Sequence, residues 1–235
     1  MKKYNYILLF IVGVYTLSAQ SSPNYSVFGV FNTEQNKYFN ATLTGLNTNN
    51  STSCYFTSSP TNKIFMAGRI SAGSVSFNSQ SLSYNTSNTL YSNTDIGSIS
   101  SKQWLVAGNS TIPYMSFNYG GNMPSFEITN SLLNDTLVKG DTLFFNLADI
   151  QNADSISVFI YNDSLGNVAH PTIFRAPNYT NNYYVIPQVF TQLAANLPAV
   201  IKIEATNYTY QTISDKQYLF RNTYSFVWPN VVVSD

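Results

Sequence analysis

Few residues in this chain of 235 could act in catalysis. His170 is the single histidine and Cys54 the single cysteine, and they lie far apart in sequence. A serine hydrolase needs a serine, a histidine and an acid in contact, but the sequence has no G-x-S-x-G nucleophile elbow. Zinc needs paired histidine or cysteine ligands, which are also missing. We therefore predict neither nucleophilic catalysis nor zinc, and we interpret Cys54 as a small buried residue of a strand.

Paired carboxylates are the other common catalytic arrangement, as in the hydrolysis of glycosides. The local pattern places no acid in register with any of the glutamates, which are Glu34, Glu127 and Glu204. Acids that are distant in sequence could still meet in space, which leaves a glycosidase open as an alternative. From the residues, we predict a protein that is not an enzyme.

Aspartates are the candidates for a metal site, and calcium is the metal that suits them. Calcium takes about six to eight oxygen ligands from carboxylates, amides and carbonyls. Several aspartates lie between positions 135 and 163, and the calcium candidates among them are Asp135, Asp141 and Asp163. No D-x-D-x-D-G loop is present, however, and aspartate beside glycine or asparagine usually forms turns. We predict no other cofactor.

Tyrosines form the remaining candidate surface. Tyr183 and Tyr184 stand in NYTNNYY, and Tyr208 and Tyr210 alternate in ATNYTYQ, all among polar neighbours. A tyrosine joins an apolar ring to a polar hydroxyl, so exposed rings beside asparagines could stack on sugars and hydrogen-bond their hydroxyls. The alternative is that these rings pack inside the protein, since aromatic residues are abundant throughout. The four tyrosines are therefore our candidate residues for binding a ligand.

The overall composition excludes some classes of partner. The chain has 11 basic and 11 acidic residues, and charged residues make up only 9% of it, against about 25% in typical soluble proteins. Nucleic-acid binding needs a clustered basic surface, so we predict no nucleic acid as a partner. The 18 tyrosines and 16 phenylalanines favour strands. The partners that we expect are an envelope protein or a polysaccharide.

The first residues have the layout of a secretory signal peptide. Lys2 and Lys3 precede an apolar run over residues 6–17, and Ala19 supplies a small residue for cleavage. The run is shorter than the roughly 20 residues that a spanning helix needs, although an uncleaved anchor is the alternative. The stretch LSAQ resembles the cleavage junction of secreted proteins from Gram-negative gliding and gut bacteria. We predict a signal peptide over residues 1–19 and export to the periplasm, the cell surface or the exterior, with no transmembrane segment after cleavage.

Strand-like runs separated by Asn, Gly, Ser and Pro clusters follow the signal and predict an all-β, antiparallel β-sandwich. The stretch NYGGNMPSF suggests a boundary near Gly121. We therefore predict an N-terminal β-rich domain over 20–122 and an immunoglobulin-like sandwich over 123–235. A sharp corner within one continuous sandwich is the alternative.

Individual segments carry more detailed predictions. Residues 154–174 read as a hairpin, residues 187–198 as a helix, and residues 104–107 as a central strand that is apolar on both faces. Tyr224, Phe226 and Trp228 alternate near the end, so we expect the chain to end on a strand. If that strand lies at an edge, it could accept another chain by β-addition.

Overall fold

The computed structural model describes residues 27–39, 46–61, 68–97, 99, 101–119, 121–131, 136–138, 142–162, 167–168, 172–175, 183–185 and 198–234. Within these ranges the chain forms strands, turns and loops, and no helix. Accordingly, no described segment is a helix of the length and apolarity needed to cross a membrane. The predicted all-β class is confirmed.

The strands in the described ranges are numbered in chain order. They are β1 Val27–Phe39, β2 Leu46–Thr61, β3 Arg69–Ile70, β4 Val75–Phe77, β5 Gln80–Ser81, β6 Ser83–Asn85, β7 Leu90–Asn93, β8 Gln103–Val106, β9 Met115–Asn118, β10 Ser125–Ser131, β11 Thr136–Val138, β12 Thr142–Gln151, β13 Ser155–Asn162, β14 Asn167–Val168, β15 Thr172–Arg175, β16 Tyr183–Val185, β17 Pro198–Ile213 and β18 Lys216–Ser234.

Most of these strands belong to one 11-stranded sheet. Its main order is β14-β13-β17-β18-β1-β2-β7-β6. Three further strands pair off this path: β15 with β13, β11 with β18 and β3 with β2. The pairings are antiparallel except that β1 and β11 each run parallel to β18. Strand β18 therefore has neighbours on both sides, which makes the edge-strand hypothesis for the C-terminus wrong. The prediction that the chain ends on a strand is confirmed, because β18 extends to Ser234.

The longest pairing of the sheet joins β17 to β18, from Ile213 opposite Lys216 to Pro198 opposite Val232. A two-residue loop connects them, in which Ser214 and Asp215 both have positive φ, of 48° and 61°. This is the pattern of a type I′ turn, whose twist matches that of the two strands. The hairpin thus fixes which side chains of β17 and β18 share a face.

A second sheet, of order β5-β4-β8-β9, covers one face of the large sheet around β1 and β18. Phe31 of β1 lies at the centre of this core. Its ring is 4.7 Å from that of Trp104 and 4.8 Å from that of Phe220. Aromatic pairs at such distances add about 0.5–1.5 kcal/mol each beyond the burial of their area. Two sheets that face each other across a buried aromatic core are consistent with a β-sandwich.

A third sheet, of order β10-β12-β16, packs further along the same face of β18. Phe126 of β10 is buried, and its ring lies 5.4 Å from Tyr224 and 5.0 Å from Phe226. Because residues that are two apart in a strand share a face, Phe220, Tyr224 and Phe226 all point to the same side of β18. One long strand therefore contributes to both packed regions.

Several predictions fall outside the described residues. The signal peptide over 1–19 lies there, as does the helix over 187–198 apart from Pro198, which begins β17. The domains 20–122 and 123–235 remain a prediction, and the large sheet contains strands from both sides of residue 122. The predicted central strand at residues 104–107 corresponds to β8, which lies between β4 and β9 in its sheet. Trp104 and Val106 are buried, but Leu105 is 42% exposed on the outer face of its sheet.

Candidate functional site

Tyr208 and Tyr210 are exposed side chains on one strand, with 44% and 39% of their surfaces accessible. They are two residues apart in β17, so they point to the same face, with about 7 Å between their positions along the strand. This face is opposite to the one that the second and third sheets cover, because Thr209 between them pairs with the core residue Phe220. The expected row of two accessible tyrosines is therefore present on β17.

Two residues of β18 complete this surface. Arg221 lies opposite Tyr208 in the hairpin, and Leu219 lies opposite Tyr210. We call Tyr208, Tyr210, Leu219 and Arg221 the tyrosine face. It combines two exposed aromatic rings with a partly exposed guanidinium group, which is a planar hydrogen-bond donor, while Leu219 is buried beneath them in a cluster with Val27, Val30 and Tyr55.

Buried Glu204 orients Arg221. Its Oε2 atom is 3.8 Å from Nη2 of Arg221, and its Oε1 atom is 2.5 Å from Nζ of Lys202. The Nε atom of Arg221 is buried and has no hydrogen-bond partner among the described residues. Burial raises the pKa of Tyr55. The positive charges of Arg69 and Arg221 lower it, but by less. The Arg221 side chain is thus 35% exposed and lies opposite Tyr208, with one of its terminal nitrogens facing Glu204.

The backbone under the tyrosine face is fixed by polar contacts. The amide of Tyr208 donates to Oδ2 of Asp154 at 2.7 Å, and the Tyr119 hydroxyl donates to Oγ1 of Thr209 at 2.6 Å. The side chain of Asn207 donates to the carbonyls of Asn122 and Asn152. A rigid support reduces the ordering entropy that binding would cost.

Tyr183 and Tyr184 do not join Tyr208 and Tyr210. They lie on β16, which pairs with β12 in the third sheet. Of the four predicted tyrosines, Tyr208 and Tyr210 lie on the same strand, β17, whereas Tyr183 and Tyr184 lie on a strand of another sheet.

The predicted metal ligands Asp135, Asp141 and Asp163, together with His170, lie outside the described residues. In the part of the chain that is described, no three His, Cys, Asp or Glu residues are grouped so that they could hold a metal. Cys54 is fully buried on β2, and burial raises the pKa of its thiol well above the usual value. The interpretation of Cys54 as a buried strand residue is confirmed.

Lys102 is a polar feature that the sequence did not reveal. It is buried beside a cavity of about 300 Å³, where its ammonium donates to the carbonyl of Gly121 and lies 5.2 Å from the ring of Tyr119. Burial lowers the pKa of this lysine to about 8. No local signal distinguishes Lys102 from the other lysines, because its burial depends on how the loop after β9 folds over it.

Glu127 and Asp149 are the second feature that sequence reasoning missed. They line one groove of about 660 Å³ between the third sheet and β18. Glu127 pairs with Ala148, next to Asp149, although the sequence pattern had placed no acid in register with it. Only the pairing of β10 with β12 reveals this neighbour.

Comparison with known proteins adds no assignment, since no family model matches the chain and no curated protein matches it significantly.

Proposed function

We propose that this chain is an exported, non-catalytic β-sandwich protein that presents a surface for binding or adhesion at the bacterial cell envelope. The signal-like residues 1–19 support export, and an immunoglobulin-like C-terminal half is part of the proposal. The low content of charged residues suits a partner that is recognised by shape, stacking and hydrogen bonds. It suits less well a partner attracted by long-range charge.

Carbohydrate is the ligand class that we assign to the tyrosine face. The observation that carries it is the exposure of Tyr208 and Tyr210 on one face, with Arg221 oriented beside them. Sugar rings present apolar C–H faces that stack on tyrosine, while their hydroxyls accept hydrogen bonds from a guanidinium. A polysaccharide of the envelope could lie along β17 and engage both rings.

Binding of polysaccharides to the double variant Tyr208→Ala/Tyr210→Ala tests this proposal. We expect about 5- to 150-fold weaker binding to a polysaccharide that the wild-type protein retains, because two stacking contacts contribute about 1–3 kcal/mol together. Affinity electrophoresis in gels that contain single polysaccharides, including bacterial envelope glycans, measures the retardation directly.

The matched control is Tyr114→Ala, since Tyr114 is 64% exposed but precedes β9 in a different sheet. This variant should be retarded like the wild-type protein. Equal retardation of the double variant and the wild-type protein would contradict the assignment to the tyrosine face. A protein partner from the envelope, captured equally by both, would then be the better account of the surface.

A further inference from the structure

The groove between the third sheet and β18 combines an aromatic floor with several polar side chains. Its walls come from β1, β10, β12 and β18, and its volume is about 660 Å³. This lies within the range of about 300–1,000 Å³ that is usual for small-molecule sites. The lining residues that matter here are Lys37, Ser125, Glu127, Asp149, Gln151 and Tyr224.

The floor of the groove is the aromatic cluster around Tyr224. The ring of Phe126 lies 5.4 Å from that of Tyr224 in an edge-to-face arrangement. The ammonium of Lys37 sits above this floor, 5.0 Å from the centre of the Tyr224 ring. The packing of these rings by both sheets gives the groove a fixed shape.

Four polar side chains around this floor have no partner in the part of the chain that the structure describes. Among the described residues, Ser125, Glu127, Asp149 and Gln151 make no side-chain hydrogen bond and no ion pair. The ammonium of Lys37 lies over the rings of Tyr224 and Phe226 and, among the described residues, forms no ion pair with the two carboxylates that line the same groove. The groove therefore offers donors and acceptors together, with one positive and two negative charges.

The backbone at Asp149 forms an irregularity in the pairing of β10 with β12. Ser125 pairs with Gln151 and Glu127 with Ala148, so two residues of β12 oppose Phe126 alone. This is a β-bulge, and Asp149 occupies it with a φ of 51°. Glycine is the residue that such a left-handed bulge position favours. Bulges that turn a side chain toward a cavity, and strained residues, are concentrated at functional sites.

We propose that this groove is a second binding site, separate from the tyrosine face, which takes a short neutral saccharide. Vicinal hydroxyls can each donate to a carboxylate and accept from an ammonium or an amide, which matches a lining of both kinds. An anionic ligand would face the two carboxylates, and a cationic one would face Lys37. The aromatic floor excludes water from below and contacts the C–H groups of the sugar.

Calorimetric titration of the protein with soluble oligosaccharides tests the proposal. The probes are trisaccharides of glucose, xylose, mannose and N-acetylglucosamine. At least one of them should bind the wild-type protein, and Asp149→Asn should weaken that binding at least tenfold. Asparagine keeps the shape and tolerates the left-handed backbone, so the loss reports the carboxylate. Asp149→Gly should also lose binding while its melting temperature stays equal to or above that of the wild-type protein.

Two controls separate this proposal from the one above. Asp95→Asn removes an exposed carboxylate from the loop after β7 and should bind like the wild-type protein. Tyr208→Ala/Tyr210→Ala should also keep trisaccharide binding, even if it loses polysaccharide. The proposal is overturned if no trisaccharide binds, if Asp149→Asn binds as tightly as the wild-type protein, or if only cationic probes such as spermidine bind.

Discussion

Lys102 couples the stability of the fold to pH. Burial lowers its pKa to about 8 from 10.5, so between these values the unfolded chain binds more protons than the folded chain. The free energy of unfolding must then rise with pH in that interval. Relative to Lys102→Met, the wild-type protein should gain about 1 kcal/mol between pH 7.5 and pH 9. Urea unfolding of both proteins across this pH range measures the difference.

Comparison with a second lysine isolates this effect. Lys216 also donates to a backbone carbonyl, that of Thr111, so Lys216→Met is the matched control for the loss of a lysine. The difference between variants also removes contributions from Cys54 and Tyr218. Burial raises the pKa of both groups, to about 12 for Tyr218, which lowers stability at higher pH. Parallel profiles for the wild-type protein and Lys102→Met would rule out the proposed coupling.

For single residues, the sequence predicts which side chains share a face of a strand, because this depends only on the alternation along the strand. Tyr208 and Tyr210 are two apart, and a strand places such residues on one face, as found. The grouping of Tyr183 and Tyr184 with them depended on which sheet each strand joins, which no local pattern reports. Glu127 and Asp149 line the same groove because of a bulge in the pairing of β10 with β12. No local sequence pattern predicts this bulge, so their proximity was not predictable either.

At the scale of elements, the turn between β17 and β18 limits stability. Ser214 and Asp215 both adopt positive φ, and the second position of a type I′ turn favours glycine. Asp215→Gly should raise the free energy of unfolding by about 0.5–1 kcal/mol, because it relieves the left-handed backbone at some cost in chain entropy. Asp215→Val should lower it, since a β-branched residue resists this conformation. A shift of the urea midpoint without a change in slope is the expected readout.

Elements with strong local patterns were predicted, and elements whose environment decides burial were not. Ile156 and Val158 are buried on β13, and Tyr161 pairs with Val168, which confirms the predicted hairpin. The apolar run around Trp104 was predicted to be a central strand, and β8 does lie between β4 and β9. The face that carries Leu105 is open, because an apolar side chain in a strand does not determine whether another layer covers it.

At the scale of the whole molecule, β18 links regions that the sequence suggested were separate. Gly29 pairs with Tyr218 and Tyr38 with Val227, so the first and last described strands are parallel neighbours. Parallel pairing requires a crossover connection, and here nearly the whole chain forms it. Composition and turn signals indicate where strands lie, but such a distant partner is set by the packing of the complete fold.

This linkage predicts that the two packed regions unfold together. Phe77 of the second sheet and Phe126 of the third are both buried and both contact aromatic rings. Phe77→Leu and Phe126→Leu should each lower the free energy of unfolding by about 1–1.5 kcal/mol. Since β17 and β18 run through both regions, each variant should shift one common transition. Differential scanning calorimetry, with the ratio of calorimetric to van't Hoff enthalpy, measures this cooperativity.

Separate expression of residues 20–122 tests whether the N-terminal half can fold without β18. This fragment contains β1 and Trp104 but lacks Tyr218 and Phe220, which complete the core around Phe31. Without β18, the long edge of β1 would also lose its parallel partner. We therefore expect the fragment to show no cooperative thermal transition on its own. Two results together would refute the linkage through β18 and establish two independent domains. The fragment would melt cooperatively, and the full chain would show two resolved transitions, one of which Phe126→Leu leaves unchanged.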